Sequence, residues 1–207
     1  MKQWIREASL PPRARMTGAL YLLYFLTAIL AQFLVSRGLA VSGNVTNVIA
    51  TASYLVVTLL LYCLFKPVSS SLSLLAALFS LAGCVVMAIG LFHLASSPIS
   101  PLLFFGPFCL LIGYLILRSS FLPRVLGVLM AFAGLGWLAF LFPTVQHSLS
   151  LAIEILGIVA EGLLMLWLLV MGVNVERWKQ QASAAKASIQ TGEPPSIADM
   201  ASTPAKP

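Results

Sequence analysis

Residues 150–174 read SLAIEILGIVAEGLLMLWLLVMGVN. Between the terminal Ser150 and Asn174, the charged side chains are two carboxylates, Glu154 and Glu161, and everything else is aliphatic, glycine, methionine or tryptophan. An apolar run of this length matches a membrane-crossing helix, which needs about 20 residues to span a ~30 Å hydrocarbon core. An ionisable group at that depth is costly and points to function.

The rest of the chain has the same character. Hydrophobic residues make up 60% of the 207 residues and charged residues 9%, and mean hydropathy is +1.00. Soluble domains are about one-quarter charged. The fold expected is therefore an all-α, polytopic membrane helix bundle. Apolar runs separated by polar or proline-containing breaks predict six transmembrane helices, at about 16–36, 44–65, 72–95, 102–117, 125–142 and 150–174. Lys66-Pro67, Ser96-Ser97-Pro98, Pro101 and Pro143 punctuate them, as proline cannot continue an internal hydrogen-bond ladder. The short link 118–124 predicts an antiparallel hairpin of the fourth and fifth spans. The first apolar stretch is longer than the 7–15-residue core of a signal peptide, so it is expected to remain as a helix. The organisation expected is a basic N-terminal segment 1–15, a six-span domain 16–179, and a cytoplasmic tail 180–207. That tail is rich in Ala, Ser, Thr and Pro, lacks an apolar helical period, and is expected to be disordered.

Charge sets the orientation. With a cytoplasmic N-terminus, six spans put Lys2, Arg6, Arg13, Arg15, Lys66, Arg118, Arg124, Arg177, Lys179, Lys186 and Lys206 inside and Arg37 alone outside. This positive-inside bias places both termini in the cytoplasm, and the net charge of +6 is a matter of topology. No contiguous basic surface with aromatic or polar readers is present, so nucleic acid is not an expected partner.

Seven residues apart, Glu154 and Glu161 share a helix face. Counted from Ser150, Glu161 lies about 16 Å down the helix axis, near mid-bilayer, at ~1.5 Å per residue. The second span offers a polar stripe, Asn44, Asn47, Thr51, Tyr54 and Thr58, at alternating spacings of three and four, which is one face of a helix. Thr17, Tyr21 and Tyr24 form a similar face on the first span. Gly127/Ala131 and Ser80/Cys84 are small pairs suited to close packing. The expectation is an internal polar seam built mainly from spans two and six, with Glu161, Glu154, Asn47, Thr51, Tyr54 and Thr58 as candidate ligand- or proton-binding residues. Two readings of that seam stay open. In one, hydroxyls and a neutral Glu161 hold helices together. In the other, the seam admits a small molecule, a lipid or a proton.

Other chemistry is scarce. His93, His147 and Glu154 fall near the outer ends of their spans, but nothing fixes their separation, and no metal is expected. Cys63, Cys84 and Cys109 are isolated within spans and read as small buried hydrophobes. There is no G-x-S-x-G, H-E-x-x-H, phosphate loop or dinucleotide fingerprint. No cofactor and no enzymatic activity are expected. Membrane lipids, a small-molecule ligand or proton, a membrane-protein partner or a second copy are the expected partners. The competing functional class is a non-catalytic accessory protein acting by helix–helix contact.

Several stretches share a pattern: Arg15 to Leu22 (RMTGALYL), Leu64 to Ser69 (LFKPVS), Leu111 to Leu115 (LIGYL), Arg118 to Gly127 (RSSFLPRVLG) and Leu166 to Trp178 (LWLLVMGVNVERW). Together they resemble the bacterial domain-of-unknown-function 4386 family, over roughly residues 13–179. The resemblance implies a small multi-span protein of a bacterial inner membrane without an assigned biochemical role. It implies a Glu at the position of Glu161. It also implies a polar residue, commonly His, where this chain has Phe108, and a charged residue near Ser80. At those two places the chain departs from the pattern.

Overall fold

The computed structural model describes residues 10–91, 100–140 and 142–191. Seven helices account for nearly all of them, and no strand occurs among the described residues: α1 (Leu10–Ser36), α2 (Ala40–Phe65), α3 (Ser70–Leu91), α4 (Leu102–Arg118), α5 (Arg124–Ala139), α6 (Pro143–Val170) and α7 (Val175–Thr191). The stretches Ala14–Ser36, Ala40–Phe65, Ser70–Leu91 and Ser148–Val170 are long and apolar enough to cross a membrane. Leu102–Arg118 and Arg124–Ala139 are equally apolar but shorter. In hydrocarbon a backbone must satisfy its own hydrogen bonds, which is why such sequences become helices.

The six apolar helices form a closed ring. Each packs on its sequence neighbour, and α6 returns to pack on α1. The interior is filled by Tyr21, Val57, Leu61, Phe65, Phe108, Leu115, Met130, Leu164 and Leu168, all with at most 1% of their surface exposed. The outer surface is apolar too, with Leu26, Ile29, Leu59, Val85, Phe132 and Ile158 exposed. A soluble monomer rarely carries so much contiguous apolar surface; lipid is its natural solvent.

Glycines set the tightest contacts. Gly106 and Gly113 on α4, seven apart, face Gly134 and Gly127 on α5, also seven apart. A Cβ on Gly113 would stand 2.7 Å from the Gly127 carbonyl oxygen, and one on Gly134 would stand 2.8 Å from that of Gly106. The short fourth and fifth helices thus touch backbone to backbone, as small residues allow in membranes. The pair Gly127 and Ala131 lies in this contact, as expected from sequence. Gly18 of α1 likewise rests on the α6 backbone at Leu168 and Leu169. The turn between α1 and α2 is closed by Gly38 at φ 79°, with Leu39 N–H donating to the Leu34 carbonyl at 3.0 Å. That left-handed conformation suits glycine at a helix end.

The boundaries differ from the sequence reading in places. Among the described residues the first helix already includes Leu10, ahead of the start expected at residue 16. The sixth starts at Pro143 and stops at Val170, with Gly172 at φ 70° just beyond. The tail expected to be disordered from residue 180 is helical to Thr191. Its alanines favour helix even without an apolar period, and residues 192–207 lie outside the described residues, as do 1–9.

Helix α7 closes the end of the bundle where the basic residues gather. Trp178 Nε1 donates to the Leu64 carbonyl at 2.9 Å, Arg177 to that of Ser120 at 3.3 Å, and Gln181 to that of Arg118 at 3.3 Å. Leu64 and Arg118 belong to the last turns of α2 and α4, whose carbonyls have no partner within their own helices.

Candidate functional site

At the centre of the ring stands Glu161. It lies well inside the apolar stretch Ser148–Val170. The residue is half-buried, and its carboxyl points inward. Tyr21 of α1 donates its hydroxyl to Glu161 Oε2 at 2.7 Å. Cys109 Sγ of α4 approaches Oε1 at 3.8 Å, a contact for a weak thiol donor. Tyr21 and Cys109 are both fully buried.

Local sequence explains the meeting. Gly18 lets α1 lie directly on α6, and Tyr21, three residues on, then reaches across to the carboxyl. Cys109 comes from the helix that the glycine contacts fix against α5, itself the neighbour of α6. No Lys, Arg or His among the described residues pairs with the carboxyl.

Around this acid is a cluster of rings with Tyr54 of α2 at its hub. Tyr54 lies 4.7 Å from Tyr24 and 5.9 Å from Tyr21, centroid to centroid. On its other side it meets Phe105 at 5.6 Å and Phe108 at 6.2 Å, both edge-on. Tyr24 also packs on Tyr21, at 6.0 Å between centroids. Helices α1, α2 and α4 thus contribute rings to one cluster, which meets the carboxyl through Tyr21.

The expected seam is only partly realised. The α2 stripe does turn inward: Tyr54 and Thr58 are buried, and Asn47 and Thr51 are half-buried. Its partners, however, lie on α3 and in the aromatic cluster. Thr58 Oγ1 and Ser80 Oγ are 2.7 Å apart, and Thr51 Oγ1 is 3.8 Å from Met87 Sδ. Thr51 and Thr58 also donate to backbone carbonyls of their own helix, at Asn47 and Tyr54. The expectation that spans two and six lie side by side is corrected, because α1 stands between them and supplies the hydroxyl on Glu161. Glu154 does not join the site. It is exposed on the outer surface of α6, two turns away from Glu161.

Tyr21 and Cys109 complete the site beyond the candidates read from sequence. The Thr17, Tyr21 and Tyr24 spacing was a signal for the first. For Cys109 there was none, since an isolated cysteine in an apolar helix reads as packing. Cys84 is buried as expected, while Cys63 is exposed on the outside of α2. His93 and the side chain of His147 lie outside the described residues, so the histidine–glutamate option has no structural description. Among the described residues no three His, Cys, Asp or Glu side chains are grouped to hold a metal.

Chemically, the arrangement can hold or release a proton. A carboxylate accepts from the Tyr21 hydroxyl; a carboxylic acid can donate to the same oxygen. Both states use the same heavy-atom positions. Where the resemblance implies a polar residue, Phe108 is buried against Tyr54, and near the place where it implies a charged one, Ser80 is hydrogen-bonded to Thr58.

Comparison with known proteins gives a family match over part of the chain. Residues 97–172 match the model of a domain of unknown function, DUF4386, a stretch that carries α4, α5, α6, Cys109 and Glu161. An uncharacterized protein of Archaeoglobus fulgidus is 31% identical over 124 residues, covering 56% of this chain and 75% of that protein. No solved structure matches the chain. The matched segment is narrower than the 13–179 resemblance read from motifs, and the relative is archaeal. On the family match and on this relative together, the chain belongs to the DUF4386 family.

Proposed function

We propose that this protein is a six-span protein of a prokaryotic cytoplasmic membrane that binds a proton or a small ligand at Glu161. The observation that carries the reading is the Glu161 carboxyl held by Tyr21 at 2.7 Å deep in an apolar helix, with no basic partner among the described residues. Packing alone gives little reason to keep such a group, since hydrogen bonds between membrane helices contribute only about 0.6 kcal/mol on average. A group that must change its proton or its partner gives a reason. The protein is non-catalytic in this reading.

The test is infrared difference spectroscopy of the full chain in lipid across a pH titration. A protonated-carboxyl band that disappears in Glu161→Gln supports proton binding at this site. A wild-type protein with no such band at any pH between 4 and 9 removes it.

The basic end of the bundle supports cytoplasmic placement of both termini. Alkaline phosphatase fused after residue 180 is then inactive in a bacterial host; an active fusion overturns the six-span topology.

One observation favours the accessory role as a second reading. Glu154 is exposed on α6 within the apolar stretch Ser148–Val170, so a carboxylate faces lipid or another protein. Crosslinking from a cysteine placed at position 155, in native membranes, distinguishes a protein neighbour from lipid.

A further inference from the structure

We propose that the basic end of the bundle carries a surface site for the anionic headgroup of a phospholipid, made by Arg118, Arg124 and Arg177 around the link between α4 and α5. The site is separate from Glu161 and does not depend on what that group binds.

Hydrogen bonds bring the three arginines to one place. The start of α7 is fastened along the link: Asn174 N–H donates to the Phe121 carbonyl at 3.4 Å, and Gln181 Nε2 to that of Arg118 at 3.3 Å. The Ser120 N–H and hydroxyl both donate to Gln181 Oε1 at 3.3 Å. Arg177 Nη1 donates to the Ser120 carbonyl at 3.3 Å, which sets its guanidinium at the link. Arg118 ends α4 and Arg124 begins α5, and the close approach of Gly113 to Gly127 keeps these two helix ends together.

Positive charge is left over there. Arg177 meets a carbonyl, Arg118 lies over the Tyr114 ring at 5.8 Å from its centroid, and Arg124 is exposed. None of the three is paired with an acid among the described residues, where Glu176 is the one carboxylate at this end. Like charges crowded on one short link repel one another, and an anion shared between them relieves that repulsion. The guanidinium fork matches phosphate oxygens in particular. A basic side chain near an anionic lipid surface gains about fivefold in affinity. All three arginines are exposed, so a headgroup reaches them without any opening of the packed interior.

The surroundings favour a lipid over a free phosphate. Tyr114, under Arg118, is 45% exposed, and Val125, directly after Arg124, is 68% exposed. Val125, Val128, Phe132 and Leu135 are all exposed, at spacings of three, four and three, which is one ridge along the outer surface of α5. A headgroup held by the arginines thus has an apolar surface beside it for its acyl chain. The opposite end offers no such cluster: Arg37 is the one described Lys or Arg there, over Phe33 at 4.9 Å.

The test is native mass spectrometry of the full chain in detergent, titrated with phosphatidylglycerol or with phosphatidylcholine of the same acyl chains. The first phosphatidylglycerol is expected to bind at least about tenfold more tightly than phosphatidylcholine. Replacing Arg118, Arg124 and Arg177 together by Gln brings the two lipids level. Replacing Arg37, Lys179 and Lys186 by Gln removes as much charge away from the link and keeps the preference. Arg177 also holds the Ser120 carbonyl, so a second variant spares it: Arg118→Gln with Arg124→Gln loses most of the preference with the start of α7 still fastened. Size-exclusion profiles confirm folding. Equal binding of the two lipids to the wild type, or equal loss in the control triple variant, overturns the proposal. Inorganic phosphate that displaces phosphatidylglycerol at comparable concentration reveals an anion site without a lipid, and overturns it too.

Discussion

The contact between α4 and α5 and the contact between α1 and α6 solve the same problem in opposite ways. Both bring two apolar helices together where no hydrophobic effect drives them, because lipid tails are as apolar as leucine. The α4–α5 contact does it with four glycines in two facing pairs, backbone against backbone. The α1–α6 contact uses one glycine, Gly18, and then spends its advantage on a tyrosine–glutamate hydrogen bond. The first interface is fixed by backbone contact at its glycines. The second contains a group with two protonation states. Backbone contact and a side-chain hydrogen bond are thus separated onto different interfaces of one ring.

That comparison breaks most sharply at Gly113. A methyl group there meets the Gly127 carbonyl and the Ala131 backbone, with no side chain able to yield. Gly113→Ala is expected to cost about 3 kcal/mol, at the upper end of overpacking, seen as a lower melting temperature in detergent. A loss below ~1 kcal/mol would show that the two helices separate easily and that the contrast is false.

At the other interface, Glu161→Leu leaves the Tyr21 hydroxyl without its acceptor inside the bundle. The expected loss is about 2 kcal/mol, the cost of a stranded buried donor, and Glu161→Gln should recover most of it. Equal damage from both replacements would mean that the charge, not the hydrogen bond, holds the helices.

Tyr21→Phe removes the donor and leaves the ring among its aromatic neighbours. A loss of about 1 kcal/mol is expected for one hydrogen bond, with the infrared band of Glu161 shifted in frequency because its bonding partner has gone. An unshifted band would place the carboxyl proton elsewhere.

Smallest is Glu154→Gln. An exposed side chain outside either interface is expected to change stability by no more than ~0.5 kcal/mol. A clear loss in native membranes, absent in detergent, would reveal a partner on that face of α6.

Much of this architecture could be read from residue order. The apolar runs gave helices, the basic residues gathered at one end, and the spacing of Asn47, Thr51, Tyr54 and Thr58 turned that stripe inward. Glu161 stood out because an acid in such a run is conspicuous whatever surrounds it. Which helices are neighbours was not legible. A stripe on α2 and an acid on α6 both prefer the interior, and a ring offers every member an interior face. Only the order around the ring shows that α1 lies between them. Glu154 misled for a related reason: seven residues bring two side chains to nearly one face, but a helix at the rim of a bundle can bury one and expose the other. The helical tail was missed because alanine favours helix without any apolar period to announce it.

Ring closure has a consequence for how the molecule is made. Tyr21 is synthesised before Glu161, with four helices between theirs, so the hydroxyl is made well ahead of its acceptor. The acid enters last and finds its donor already there. Until then the ring has a gap, and the glycine face of α1 that will receive α6 is open to lipid or to any passing helix.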